Sequence, residues 1–236
     1  MANKKTAPPA KKKIYIVDDH PVFRAGLAGI LQQQPDLAVC GEADNAATAF
    51  TEIARLKPDL LLADVGLAGQ SGLAGQSGLA GKSGLELLRD LHACQPGFPV
   101  LVISMHDEAL YAERVLRAGG RGYIMKQEGP EKILQAIARV LAGKVYVSEK
   151  MSAAILDQIG RPDSKAKASP IGKLTDREFE ILRLLGEGQD SHEIARSLHL
   201  SLKTVNTHRT NIRAKLGLKN AAAVIHFASR WLAEEQ

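Results

Sequence analysis

Asp64 closes the apolar run Leu60-Leu61-Leu62-Ala63, which Lys57-Pro58-Asp59 bounds upstream. A short apolar run between turn signals reads as a buried strand, and in an α/β chain as a parallel one. Asp64 then stands at the strand's carboxyl end, the edge where open α/β sheets take their ligands. Asp18 and Asp19 follow a second such run, Ile14-Tyr15-Ile16-Val17. Three carboxylates at one sheet edge repel each other unless a cation sits among them, so a bound cation is the chemistry to expect.

The elements that must position these acids alternate along the chain. Strand 14–17 is followed by a helix over 21–34, opened by Pro21 and carrying Val22, Leu27, Ile30 and Leu31. Strand 37–43 and a helix over 45–57 come next, then strand 60–63 and a helix from about 84 with Leu85, Leu87, Leu88 and Leu91. Strand 99–103 leads to a helix over 107–118, ended by Gly119-Gly120. Strand 122–125 leads to a helix over 130–142, closed by Gly143. Strict alternation predicts a five-stranded α/β domain with a parallel, doubly wound sheet. The connecting segment 143–159 carries a further helix from about 148. Residues 160–170, with Gly, Pro, Ser and Lys and no periodicity, read as a linker, and 171–236 as a small all-α domain.

Composition bounds the class of protein. Hydrophobic content of 45% and charged content of 24% over 236 residues suit one large or two small globular domains. No apolar stretch approaches the roughly 18 residues that span a membrane. Cys40 and Cys94 match neither a disulfide framework nor a metal spacing, so a cytoplasmic chain is expected. Residues 1–13 read as a disordered basic tail, with five Lys and no acid. Residues 14–159 carry 13 basic and 17 acidic residues, net −4, whereas 171–236 carry 10 basic and eight acidic, net +2. That asymmetry permits nucleic-acid binding by the C-terminal part.

Asp18-Asp19, Asp64, Ser104 and Lys126 end four of the strands in order, with 22 residues from Ser104 to Lys126 and Tyr123 three before the lysine. In these residues 14–142 resembles a response-regulator receiver domain, and the whole chain is similar to the NarL/FixJ class of two-component response regulators. The resemblance implies phosphorylation of Asp64 by a sensor histidine kinase. It implies Mg2+ held by Asp18, Asp19, Asp64 and the backbone carbonyl of Gly66. It also implies Lys126 and Ser104 as partners of the phosphoryl oxygens. The residue types suit that chemistry: a carboxylate nucleophile forms an acyl phosphate, and oxygen ligands suit Mg2+. The expected response is a population shift in which Ser104 is drawn inward and Tyr123 follows it.

Between Asp64 and the third helix the hexapeptide GLAGQS, GLAGQS, GLAGKS repeats at 66–71, 72–77 and 78–83. One copy would match the family's loop length, so 12 residues are extra. The preferred reading is a duplicated Gly-rich surface loop, and the sharper one is a lid over the site. A P-loop reading of Gly81-Lys82-Ser83 fails because the glycine required five positions earlier is Gln76.

Residues 174–220 are similar to the LuxR-type helix-turn-helix. Thr175 with Glu178 and Asp190 with Glu193 fit capping boxes, Ser201 suits the N-cap of a helix over 202–216, and Asn220 can cap a last helix. In helix 202–216 an apolar stripe of Leu202, Val205, Ile212 and Leu216 opposes Lys203, Asn206, Thr207, Thr210 and Arg213, as a recognition helix requires. Asn206, Thr207 and Thr210 are the candidates for base edges. Lys203, Thr204, His208, Arg209, Arg213 and Lys219 are the candidates for phosphates. The leading expectation is a phosphorylation-controlled transcription factor that dimerises when active and modifies only itself. One rival is a receiver-bearing factor whose long loop blocks the site. Another is an Asp-nucleophile phosphohydrolase, which needs a second Asp where Gly66 stands.

Overall fold

The computed structural model describes residues 10–67, 83–160, 170–198 and 200–235. The basic tail to residue 9, the repeats from 68 to 82, the linker from 161 to 169 and His199 lie outside the described residues. Five parallel strands, β1 (Lys12–Val17), β2 (Leu37–Ala43), β3 (Leu60–Ala63), β4 (Val100–Ser104) and β5 (Gly122–Met125), stand in the order β2-β1-β3-β4-β5. Helices α1 (Pro21–Gln32), α2 (Ala46–Leu56), α3 (Gly84–Cys94), α4 (Glu108–Arg117) and α5 (Pro130–Leu141) connect and follow them.

β3 and β4 are buried on both sides, and the side chains of the sheet still sort by the two-residue pleat. Ile14, Ile16, Leu60, Leu62, Leu101 and Ile103 pack with Leu27, Leu31, Ile133 and Ile137 of α1 and α5. Tyr15, Val17, Leu61, Ala63, Val100 and Val102 pack with α2, α3 and α4 through Ile53, Leu88 and Val115. β1 begins two residues before its apolar run. The Lys12 amide donates to the Asp36 carbonyl at 2.8 Å, and the Lys13 amide donates to the Asp59 carboxylate at 2.8 Å. Backbone pairing thus recruits two lysines whose side chains alone suggest tail. On the far edge, Tyr146 bridges to Gly122, and its carbonyl accepts from the Tyr123 amide at 2.9 Å.

After α6 (Glu149–Gly160) comes a short 3-10 turn, Pro170–Lys173, and then α7 (Asp176–Gly186), α8 (Ser191–Ser197), α9 (Leu202–Lys215) and α10 (Ala221–Glu235). Both expected capping boxes form, at Thr175 with Glu178 and at Asp190 with Glu193. Ser201 caps α9 by accepting from the Thr204 amide at 3.0 Å, and Asn220 accepts from the Ala223 amide at 2.9 Å. Gly186 lets α7 and α10 approach: a Cβ there would stand 2.8 Å from the Ala228 carbonyl oxygen. Leu202 departs from the expected apolar stripe. It is 37% exposed, because the first turn of α9 projects beyond the core that holds Val205 and Ile212.

Candidate functional site

The carboxyl ends of β1, β3, β4 and β5 bring the predicted residues into one pocket. Asp18 and Asp64 are buried, and Lys126 Nζ lies 2.7 Å from Asp18 Oδ2 and 2.7 Å from Asp64 Oδ2. The Gly66 amide donates to Asp64 Oδ1 at 2.9 Å and the His20 amide to Asp18 Oδ1 at 2.8 Å, so each acid keeps one oxygen turned to the lysine. Burial pushes the Asp18 carboxyl above its ordinary range, and the hydrogen bond from Lys126 only partly offsets it. One ammonium facing three carboxylates leaves the pocket net negative, and ligand atoms of Asp18, Asp19, His20 and Asp64 all lie within 4.8 Å of one another. Hard oxygen donors so gathered fit a divalent ion such as Mg2+. His20, which the sequence reading passed over, sits 2.7 Å from Asp19 Oδ1 through Nδ1; its place directly after the two acids was the available signal.

The third helix is set hard against this pocket. Ser83 forms a capping box with Glu86, its amide donating to the glutamate at 2.8 Å. A Cβ on Gly84 would stand 2.1 Å from the Asp64 carbonyl oxygen. Both ends of the repeat loop are therefore fixed, at Gly66-Leu67 and at Ser83-Gly84. Ser104 is fully buried, and its hydroxyl accepts from the His106 amide at 3.3 Å. Tyr123 is fully buried, its hydroxyl donating to the His106 carbonyl at 2.8 Å. His106 stacks on Tyr111 at 5.0 Å between ring centroids, and burial pushes its pKa down to about 4.

At the other end of the chain, Leu202, Lys203, Asn206, Thr207 and Thr210 of α9 line one shallow, open groove. The Thr207 and Thr210 hydroxyls donate to the carbonyls of Lys203 and Asn206, at 2.9 and 3.0 Å. Their protons are spent on the helix, leaving an acceptor oxygen and a methyl group facing outward. Lys203, Arg213 and Lys219 are exposed, whereas Thr204, His208 and Arg209 are partly buried. The Thr204 hydroxyl shares a 2.8 Å hydrogen bond with Ser201, Arg209 donates to Ser191, and His208 is half-buried with its pKa lowered by that burial.

Comparison with known proteins decides the family. The response regulator receiver domain matches residues 14–138, and the luxR family of bacterial regulatory proteins matches 172–228. The chain belongs to the NarL/FixJ class of response regulators. The oxygen regulatory protein NreC of Staphylococcus aureus is 35% identical over 220 residues, covering 92% of this chain and 96% of NreC. A structure of RcsB from Salmonella typhimurium is 26% identical with a TM-score of 0.53, covering 93% of this chain and 98% of that one. A structure of two RcsB dimers bound to two parallel DNAs is 25% identical with a TM-score of 0.55, at the same coverage. No described helix is long and apolar enough to cross a membrane.

The regulator's two parts meet across α4 and α7. Tyr111 packs edge-on against Phe179 at 5.2 Å, and the Arg114 guanidinium lies 4.0 Å from the centre of the Phe179 ring. Arg114 also donates to the carbonyls of Ile171 and Leu174, at 2.7 and 3.2 Å, and pairs with Asp176 at 3.3 Å. Arg89 of α3 holds the other Asp176 oxygen at 3.0 Å. Beside this contact runs a cleft of about 300 Å³. One wall carries Asp64, Ser104 and His106, and the facing wall carries Glu180, Arg183 and Leu198. Sequence patterning had no means of finding this arrangement, because each wall looks like an ordinary helix or loop until the other is present.

Proposed function

We propose that this response regulator takes a phosphoryl group on Asp64 from a partner histidine kinase and thereby shifts its dimerisation and DNA binding to control transcription. The observation that carries the reading is Lys126 Nζ, shared at 2.7 Å between Asp18 and Asp64, with buried Ser104 on the neighbouring strand. A carboxylate held by its amide neighbour through Oδ1 and by an ammonium through Oδ2 is fixed in place for attack, either oxygen keeping lone pairs beyond the one it shares. In the reaction one carboxylate oxygen bonds to phosphorus as the donor's phosphorus–nitrogen bond breaks, its electron pair leaving on the imidazole. Lys126 and Ser104 stand where they can meet the charge transferred to the phosphoryl oxygens. Asp18, Asp19, Asp64 and the Gly66 carbonyl would hold Mg2+, which neutralises phosphoryl charge when bound.

DNA is read, in this proposal, by the outward face of α9. Asn206, Thr207 and Thr210 meet base edges; Lys203, Arg213 and Lys219 meet phosphates. Thr204, His208 and Arg209 act by fixing the helix. Two copies bound as a dimer place two such helices about one helical turn apart on DNA, and the regulator works in the cytoplasm, where that DNA is.

A second reading has output independent of phosphorylation. It is favoured by the α9 groove already being open. Intact mass after incubation with Mg2+ and acetyl phosphate separates the two. One phosphoryl group on the wild type and none on Asp64→Asn is the expected result. No gain by either chain would transfer support to the second reading.

A further inference from the structure

We infer that Arg183 of α7, on the far wall of the cleft, is a ligand for the phosphoryl group on Asp64. This rests on the reading of Asp64 as the phosphoacceptor and adds a residue from outside the receiver to its site. Arg183 and Asp64 line the same cleft, from opposite walls. The Arg183 side chain is only 12% exposed. It is paired with Glu187 one turn along its own helix, yet its Nε is buried with no hydrogen-bond partner. A buried guanidinium with an N–H left over is costly and calls for an acceptor.

The Tyr111 hydroxyl of α4 meets the Arg183 guanidinium, yet Nε stays without a partner, and the rest of its own wall supplies no acceptor. Glu180, its carboxylate, is committed to Arg177 at 2.7 Å. Nor does the receiver wall, as it stands, carry a spare anion, since Asp64 is already bonded to Lys126 and to the Gly66 amide. Phosphorylation changes this. The acyl phosphate carries about −1.5 to −2 charges in place of the carboxylate's −1, and it brings three oxygens, each accepting more than one hydrogen bond. Lys126, Ser104 and a bound cation leave acceptor capacity over. The cleft's roughly 300 Å³ is about ten waters' share of liquid volume at about 30 Å³ each, ample for the group. Arg183's charge already reaches across the gap, where it disfavours protonation of His106. Arginine is also the side chain whose planar fork matches phosphoryl oxygens.

The consequence is that the phosphoryl group ties the DNA-binding part to the receiver in the arrangement seen here, with the α9 groove open. Binding of beryllium fluoride, a stable phosphoryl mimic, to the full chain in Mg2+ tests this by calorimetry. Arg183→Gln is expected to weaken binding roughly tenfold. Glu187→Gln, which frees the guanidinium from its internal partner, is expected to bind at least as tightly as wild type. Unchanged affinity in Arg183→Gln overturns the role of Arg183 and leaves Asp64 untouched. Weaker binding in both variants also overturns it, as the mark of a pair that only holds the helix in place. Failure of wild type to bind, matching Asp64→Asn, removes the Asp64 reading and this inference with it.

Discussion

His106 sits where the Asp64 pocket, the Tyr111 ring and the DNA-binding part converge, and burial there disfavours its charged form. Its pKa is down to about 4 in the folded protein against 6.5 in a free histidine, first through burial and then through Arg183. The unfolded chain therefore binds more protons between pH 6.5 and 4. His106 lets the fold keep its full stability above 6.5, and stability is lost as pH falls through that window, by about 3 kcal/mol at the acid end. His106→Phe keeps a ring against Tyr111 and cannot titrate. Urea midpoints measured across this range should fall less steeply with acid in the variant than in wild type, and parallel profiles would contradict the assignment.

At the scale of elements, two contacts make sharp demands. α3 starts so close to the Asp64 carbonyl that Gly84→Ala must push helix and strand apart, since neither backbone can yield. A loss of about 1–3 kcal/mol in chemical denaturation is expected, together with slower phosphorylation by acetyl phosphate. On α9, Arg213→Ala should weaken binding to all DNA sites alike and flatten the log–log salt slope by about 0.9, which filter binding at several salt concentrations would measure. A changed base preference would instead move Arg213 to the base edges. These elements were legible from sequence because their signals are local. Thr175 with Glu178 and Asp190 with Glu193 announce helix starts within four residues, and Asp18, Asp64, Ser104 and Lys126 mark strand ends. Leu202 misled because amphipathic spacing does not say where a helix's first turn leaves the core. Arg114 and Arg183 carried no signal, since polar residues on a helix are expected outside and these are covered by a partner element 60 or more residues distant in the case of Arg114 and Asp176.

For the whole molecule, the telling fact is which surface the two parts hide in each other. Arg114 is the centre of that contact, tying α4 to two carbonyls, one carboxylate and one aromatic ring of the second part. Arg114→Ala leaves Asp176 with Arg89 alone and is expected to loosen the contact by about 3 kcal/mol. Faster cleavage by a protease within 161–169 and faster phosphorylation by acetyl phosphate would both follow; unchanged rates would mean that the contact is not what covers Asp64. The cover lies over the input while the α9 groove stays open. If Asp64 is the phosphoacceptor, as proposed, donor and water both reach it through this cleft, narrowed by Glu180, Arg183 and Leu198 of the second part. A passage shared by both would slow the taking up of a signal and the forgetting of it together: brief stimuli would pass unrecorded, and sustained ones would outlast their source.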